Sequence, residues 1–331
     1  MLTWTRRSLL AAAGGLAALP LAAAGARAAT GPDGWPKRPV SILVPYGPGG
    51  TTDITARIAA EHMRGVFGQS FVVENRGGAS GTLAMTAVAR AEPDGYTLLA
   101  NDIAQTVVSA LISNLAIDPV KDLAPAALVA ETPVVLAVSN KVQAKTLQEF
   151  VALAKRRPGE LTYGSGGVGS GPHLGMEYFK SLTGVDISHV PYRGSGAAVT
   201  DLVAGNIDAL SSAGPTIALH AANGVIRALV VSGNKRIPLL PDVPTAAEAG
   251  VPEFIFSLWF GLAAPRGTPR PILDAIHREI QAMGANPAIR QKLTTAGADP
   301  ADLGPDAFAA RIASESERWT ALLQRAGVKP E

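Results

Sequence analysis

No cysteine occurs anywhere in the 331 residues, which removes disulfides and thiolate metal sites together. Histidine is nearly as scarce. His62, His173, His189, His220 and His277 stand far apart, with no i,i+4 pair and no His-Glu-x-x-His run, so a zinc centre lacks a ligand set. Charge is sparse and balanced. The first 28 residues hold three arginines and no acid; without them 26 basic residues face 27 acidic ones, a net charge of −1. That balance leaves no basic footprint for nucleic acid. Beyond residue 28 no apolar run approaches the ~18 residues a membrane helix needs. There is no Gly-x-Ser-x-Gly elbow, and a lone Ser232-Gly-Asn-Lys235 lacks its companion motifs. No catalytic constellation emerges, so no enzyme is expected.

What the chain does have begins with an address. "TRRSLL" (Thr5 to Leu10) sets paired arginines ahead of an Ala- and Gly-rich apolar stretch, and Ala26-Arg27-Ala28 suits cleavage. Residues 1–28 read as a twin-arginine secretion signal, cleaved near Ala28, which places the mature chain in the periplasm. The remaining ~300 residues suffice for two lobes, each with its own core. Short β-branched runs alternate with amphipathic helical stretches, the pattern of α/β layers with parallel strands.

Glycine, at 35 residues, is concentrated where strands give way to helices. "VPYGPGGTTDITAR" (Val44 to Arg57) is the first case, and "FVVENRGGASGTLAMTAVARA" (Phe71 to Ala91) the second. "LTYGSGGVGSGPHLGMEYFKSL" (Leu161 to Leu182) and "HVPYRGSGAAVTDLVAG" (His189 to Gly205) repeat the layout. The first amides of a helix have no intrahelical acceptor, and the dipole adds roughly half a positive charge there. Glycines without Cβ let a ligand oxygen reach those donors. Such a turn binds an anion with no Lys or Arg. Two turns lie in the N-terminal third and two in the middle third, so a cleft between lobes would present helix starts from both sides, a good seat for a small carboxylate. Gly-rich βα turns are also ordinary furniture of parallel sheets, and both readings stand at this point.

Other features have competing readings. "GSGGVG" (Gly164 to Gly169) fits the dinucleotide fingerprint, but the next strand ends in Tyr192-Arg193 and not in the acid that binds a ribose. A secreted nucleotide-dependent or hydrolytic enzyme is therefore the alternative function. Asp53 falls in a first helical turn, where a carboxylate is favoured anyway, which makes structural duty its expected role. His173 either reaches a ligand or caps its helix. Arg193, beside the fourth turn, either pairs with a carboxylate or points into solvent. Capping boxes at Thr146/Glu149 and Thr245/Glu248, Thr268-Pro269 and Pro305 mark further helix starts.

Nearly the whole mature chain resembles one family. "WPKRPVSILVPYGPGGTTDITAR", "VVENRGGASG", "EPDGYTLL" and "DPVKDLAP" come first; then "LTYGSGGVGSGPHL", "VPYRGS", "DLVAGNID" and "RALVVSGNKRIPLLPDVPTAAEAGVP"; then "WFGLAAPRGTPRPI" and "WTALLQRAGVKPE". In that order they resemble the Bug-type extracytoplasmic solute receptors of tripartite tricarboxylate transporters. The resemblance implies an α/β, two-lobed type II periplasmic-binding-protein fold, each lobe a mainly parallel sheet flanked by helices. Lobe one would be about 35–135 plus 257–331 and lobe two about 136–256, with crossings near 131–138 and 254–260. It implies a small organic acid as ligand, membrane transporter subunits as partners, a monomer, and no cofactor; a receptor feeding a sensor is also open. Carried over by motif, the ligand contacts would be Tyr46, Gly47, Gly49, Gly50, Thr51 and Asp53, then Gly78, Ser80 and Gly81. Ser165, Gly167, Gly169, Ser170, His173, Arg193 and Gly194 follow, with Asn101 and Ser212 after their strands. "RGGAS" (Arg76 to Ser80), Ala197 and "ANDIAQTVV" (Ala100 to Val108) depart from the family pattern beside the supposed pocket, so ligand identity does not transfer.

Overall fold

The computed structural model describes residues 31–328; the expected secretion signal and the last three residues lie outside them. In chain order the elements are β1 (Val40–Val44), α1 (Thr51–Phe67), β2 (Phe71–Asn75), α2 (Thr82–Ala89), β3 (Thr97–Asp102), α3 (Val108–Leu111) and β4 (Leu123–Ser139). Then come α4 (Leu147–Arg156), β5 (Thr162–Ser165), α5 (Gly171–Thr183), β6 (Ser188–Pro191), α6 (Ser195–Ala204), β7 (Ala209–Ala213), α7 (Gly214–Ala222) and β8 (Ile226–Val231). The chain closes with β9 (Ser257–Pro265), α8 (Arg270–Ala285), α9 (Pro287–Thr295), β10 (Asp299–Pro300) and α10 (Pro305–Arg325).

The outer strands of each half pair in parallel, β2-β1-β3 on one side and β6-β5-β7 on the other, each joined by a helix as the alternating pattern requires. The middle is antiparallel. β9 runs against β3 and β4, while β7 and β8 both run against β4. These antiparallel pairings were not legible, because they join residues far apart in sequence, from Val138 with Ala209 to Leu123 with Pro265 and Leu99 with Ala263.

β4 ties the halves together. At 17 residues it is about 55 Å long. Leu123 to Pro133 pairs with β9, and from Val134 onward its neighbours are β7 and β8. The Ser232 hydroxyl sits at this change of partner, accepting from the Val134 amide at 2.9 Å and donating to the Phe256 carbonyl.

Amphipathic spacing explains the helices. α1 buries Ala56, Ala59, Ala60, Met63 and Phe67, one stripe at i, i+3, i+4, i+7 and i+11. α8 does the same with Ile272, Leu273, Ile276, Ile280 and Met283. α10 begins at Pro305 as expected and lies behind the junction. Its Trp319 meets Phe256 and Tyr178 edge-on at 5.2 and 5.5 Å, Arg311 pairs with Glu131 of β4, and Glu315 accepts from the Trp259 indole at 2.7 Å. Thr146 caps α4 through the Glu149 amide, while the Glu149 carboxylate takes the Lys145 amide. α8 starts at Arg270, one residue past Pro269, which serves as its N-cap. No helix among the described residues is long and apolar enough to cross a membrane.

Candidate functional site

A cavity of about 1320 Å³ opens between the two halves of the sheet. Among the described residues five helices begin at it. α1, α2, α5 and α6 are those expected from the glycine turns; α7, entered through Ala213, Pro215 and Thr216, was missed. Its signal was a single Gly-Pro after a strand, with no glycine cluster to mark it. The N-cap residues are Gly50, Gly81, Ser170, Gly194 and Ala213, and none caps its helix with a side chain. Natural helix starts usually satisfy first-turn amides with a Ser, Thr, Asp or Asn oxygen. Here the uncapped starts of α1 and α6 both stand in the cavity wall, one from each half.

Fourteen of the eighteen residues named from sequence line this space: Tyr46, Gly47, Gly49, Gly50, Thr51, Asp53, Gly78, Ser80, Gly81, Gly167, Ser170, Arg193, Gly194 and Ser212. Asp53 nevertheless works inward. Its carboxylate accepts from the Gly49 amide at 3.0 Å, from Arg57 at 2.9 and 3.0 Å, and from Asn75 at 2.9 Å. Burial acts to raise its pKa, but those hydrogen bonds and the Arg57 charge outweigh it and hold the carboxyl below its usual value. The residue pins the first turn in shape, the structural duty expected of it. Arg193 is exposed, is the only Lys or Arg on the wall, and has no partner among the described residues.

The other four, Asn101, Ser165, Gly169 and His173, stand behind the wall. The Gly169 amide is already spent on His173 Nδ1 at 3.1 Å. Ser165 binds His189 Nε2 at 2.7 Å and accepts from the Gly167 amide at 3.1 Å. The two imidazoles stack at 4.3 Å, with Tyr163 beyond His189 at 4.8 Å. His173 is buried and His189 half-buried, and together they support the third turn. Asn101, buried within β3, donates to Gln105 at 2.7 Å. Asp208, the other acid considered, accepts from the Thr162 amide and hydroxyl and joins two strands.

This support has a pH signature. Burial first, then the nearby Lys180 charge, pushes His173 down to about 4. Burial, with the His173 charge next, takes His189 to about 3. Between about pH 6.5 and 4 the unfolded chain therefore binds protons that the native protein refuses, and stability falls as pH falls. The His173 contribution is about 3 kcal/mol. Asp102 acts in the opposite sense, because burial raises it to about 6, so wild type alone is a poor readout. The expected result is a difference: denaturant melts of His173→Gln lose about 2–3 kcal/mol less than wild type between pH 7 and pH 4.5. Parallel pH profiles would show that the ring carries no such load.

The cavity floor is apolar, with Ile103, Leu258, Trp259 and Phe260 beneath the ring of helix starts. Ser80 sits at the edge, its hydroxyl 3.2 Å from the Val168 carbonyl of the facing half. On another edge Gly297 has Pro215 of α7 where a Cβ would stand. Tyr192, Ser195, Thr216, Thr52 and Asp102 also line the cavity and were missed. Asp102 was hidden inside the atypical "ANDIAQTVV", where no glycine drew attention to it.

Two joined α/β halves around such a cleft define the two-lobed type II periplasmic-binding-protein class. The comparisons narrow this. Residues 55–328 match the tripartite tricarboxylate transporter family receptor, and the chain belongs to that family of solute receptors. Protein BugT of Bordetella pertussis is 36% identical over 311 residues, 93% of this chain and 95% of that protein. Rpa4515 of R. palustris, solved with adipate, superposes with a TM-score of 0.83 at 36% identity, covering 90% of this chain and all (100%) of the other. MatC of Rhodopseudomonas palustris, with bound malate, gives 0.78 at 35% identity over 87% and 100% of the two chains.

Proposed function

We propose that this chain is a periplasmic receptor that captures a small organic carboxylate in its cleft and hands it to the membrane subunits of a tripartite tricarboxylate-type transporter. The observation that carries the reading is the set of helix starts without side-chain caps, converging on one cavity from both halves. Adipate and malate in the two similar structures support the ligand class. The contacts would come from the amides around Gly50 to Thr52 and Ser195 to Ala197, with Arg193 as the one charged partner. Lobe one would comprise about 35–135 and 257–331 and lobe two about 136–256, hinged where β4 changes partners and where the chain enters β9. The receptor would act as a monomer.

A thermal-shift screen of mono-, di- and tricarboxylates tests this directly. A ligand at a hundred times its Kd adds about 2.7 kcal/mol of stability and raises the melting temperature by several degrees. Stabilisation by NAD(P), with none by any acid, would transfer the chain to the enzyme reading.

Closure gives a further expectation. Ser80 holds φ 54, an unfavourable conformation for a side chain, while its hydroxyl reaches across to Val168. Ser80→Gly should relieve that strain and keep or raise the melting temperature. It should also cost one net hydrogen bond in the closed form, about 1 kcal/mol or roughly fivefold in ligand affinity. Unchanged affinity by calorimetry would mean that the bridge has no part in holding ligand.

A further inference from the structure

An acid in the wall of an anion site is out of place, and Asp102 is such an acid. It ends β3, is 7% exposed, and borders the cavity beside Tyr46, Thr52 and Ile103. Its oxygens accept from the Tyr46 hydroxyl at 3.1 Å, the Thr52 hydroxyl at 3.3 Å and the Ala104 amide at 3.0 Å. None of these donors is a cation, and among the described residues no Lys or Arg is paired with it. Asp53, the other acid on the wall, is neutralised by Arg57; Asp102 has no such partner. Burial accordingly raises its pKa to about 6, which still leaves it mostly ionised at neutral pH.

A carboxylate has about four acceptor positions, and three donors leave one open. A ligand oxygen carrying negative charge is repelled from that position, whereas an N–H or O–H group is drawn to it. We infer that Asp102 sets specificity: it selects carboxylates that carry a hydrogen-bond donor, an ammonium or hydroxyl group, beside the acid group gripped by the helix starts. This rests on the carboxylate-receptor reading above. It goes beyond that reading in dividing the acids into two classes and naming the side chain that divides them.

The alternative duty for Asp102 is local. It caps the turn that follows β3 and orients Tyr46 and Thr52. A residue with only that duty affects every ligand alike, so the test is a ratio. Calorimetry on wild type and Asp102→Asn would use two matched sets: succinate, malate and aspartate, then adipate, 2-hydroxyadipate and 2-aminoadipate. Asparagine keeps an acceptor for the Ala104 amide and removes the charge. The expected wild-type result is a preference of roughly tenfold or more for a donor-bearing member over its unsubstituted parent. In Asp102→Asn that ratio should shrink to about threefold or less, with the unsubstituted acid gaining affinity. Equal or tighter wild-type binding of the unsubstituted acids overturns the inference. So does a preference that survives in the variant, and so does a uniform loss across both sets, which assigns Asp102 to positioning alone. Failure of every acid to bind wild type contradicts the receptor reading itself, and is recognisable because it precedes any comparison. Should Asp102→Asn fold poorly, Asp102→Glu keeps the charge and must keep the preference.

Discussion

Gly50→Val should abolish carboxylate binding and leave a folded protein. Gly50 caps α1 with φ −76, a backbone conformation any residue adopts, and a Cβ there would meet nothing within 4 Å. The fold therefore has no objection to a side chain. The ligand does, because a branched side chain would stand over the amides of Thr51 and Thr52 at the cavity wall. A micromolar complex needs about 8 kcal/mol, and charge-assisted hydrogen bonds supply roughly 1.5–3 kcal/mol each. Losing two of them weakens binding about a hundredfold or more. Calorimetry with the ligand identified by thermal shift gives the affinity, and a melt gives the fold. A variant that binds like wild type removes the first turn from the site.

Gly169→Val should fail in the opposite way. From sequence the two glycines look equivalent, and both substitutions are expected to block the ligand while sparing the fold. The structure corrects the second expectation. Gly169 lies behind the wall at φ +77, a conformation that favours glycine, and a Cβ would sit 2.5 Å from Leu111 Cδ1. Left-handed strain costs about 1–2 kcal/mol and overpacking a further 1–3. Distortion of the turn also threatens the Gly169 amide's bond to His173. A loss of about 3–5 kcal/mol is expected, read as a lowered denaturant midpoint without any ligand present. Wild-type stability in Gly169→Val would mean that the third turn is not packed against α3 as described.

This contrast indicates what a sequence reveals of such a site. Strand, glycine turn and helix are local, so β1, β2, β5 and β6 and the helices after them were legible from periodicity and punctuation alone. Which glycine faces the cavity is not local. Gly50 and Gly169 differ by what packs behind them, Leu111 in one case and open space in the other. β4 hid for a related reason. Pro125 and Pro133 argue against a continuous strand, because proline cannot donate to a ladder. In the structure Pro125 falls at a register shift, and Pro133 falls where β4 exchanges β9 for β7. Both prolines occupy places where a strand tolerates a missing donor. The sequence leaves His173 as a ligand contact or a cap; in the structure its Nδ1 accepts from the amide of Gly169, four residues earlier, and so braces the start of α5. Asp102 carries no motif and the start of α7 only a lone Gly214-Pro215, and only the three-dimensional cavity collects them.

A crystal structure of the ligand-bound receptor is the most direct trial of the central claim, that main-chain amides at helix starts on both walls hold an ionised acid group. The account predicts carboxylate oxygens within hydrogen-bond distance of amides at the beginnings of α1 and α6, with the two halves closed over the ligand. Density for the acid away from those amides, or an acid group held by Arg193 alone, would contradict it.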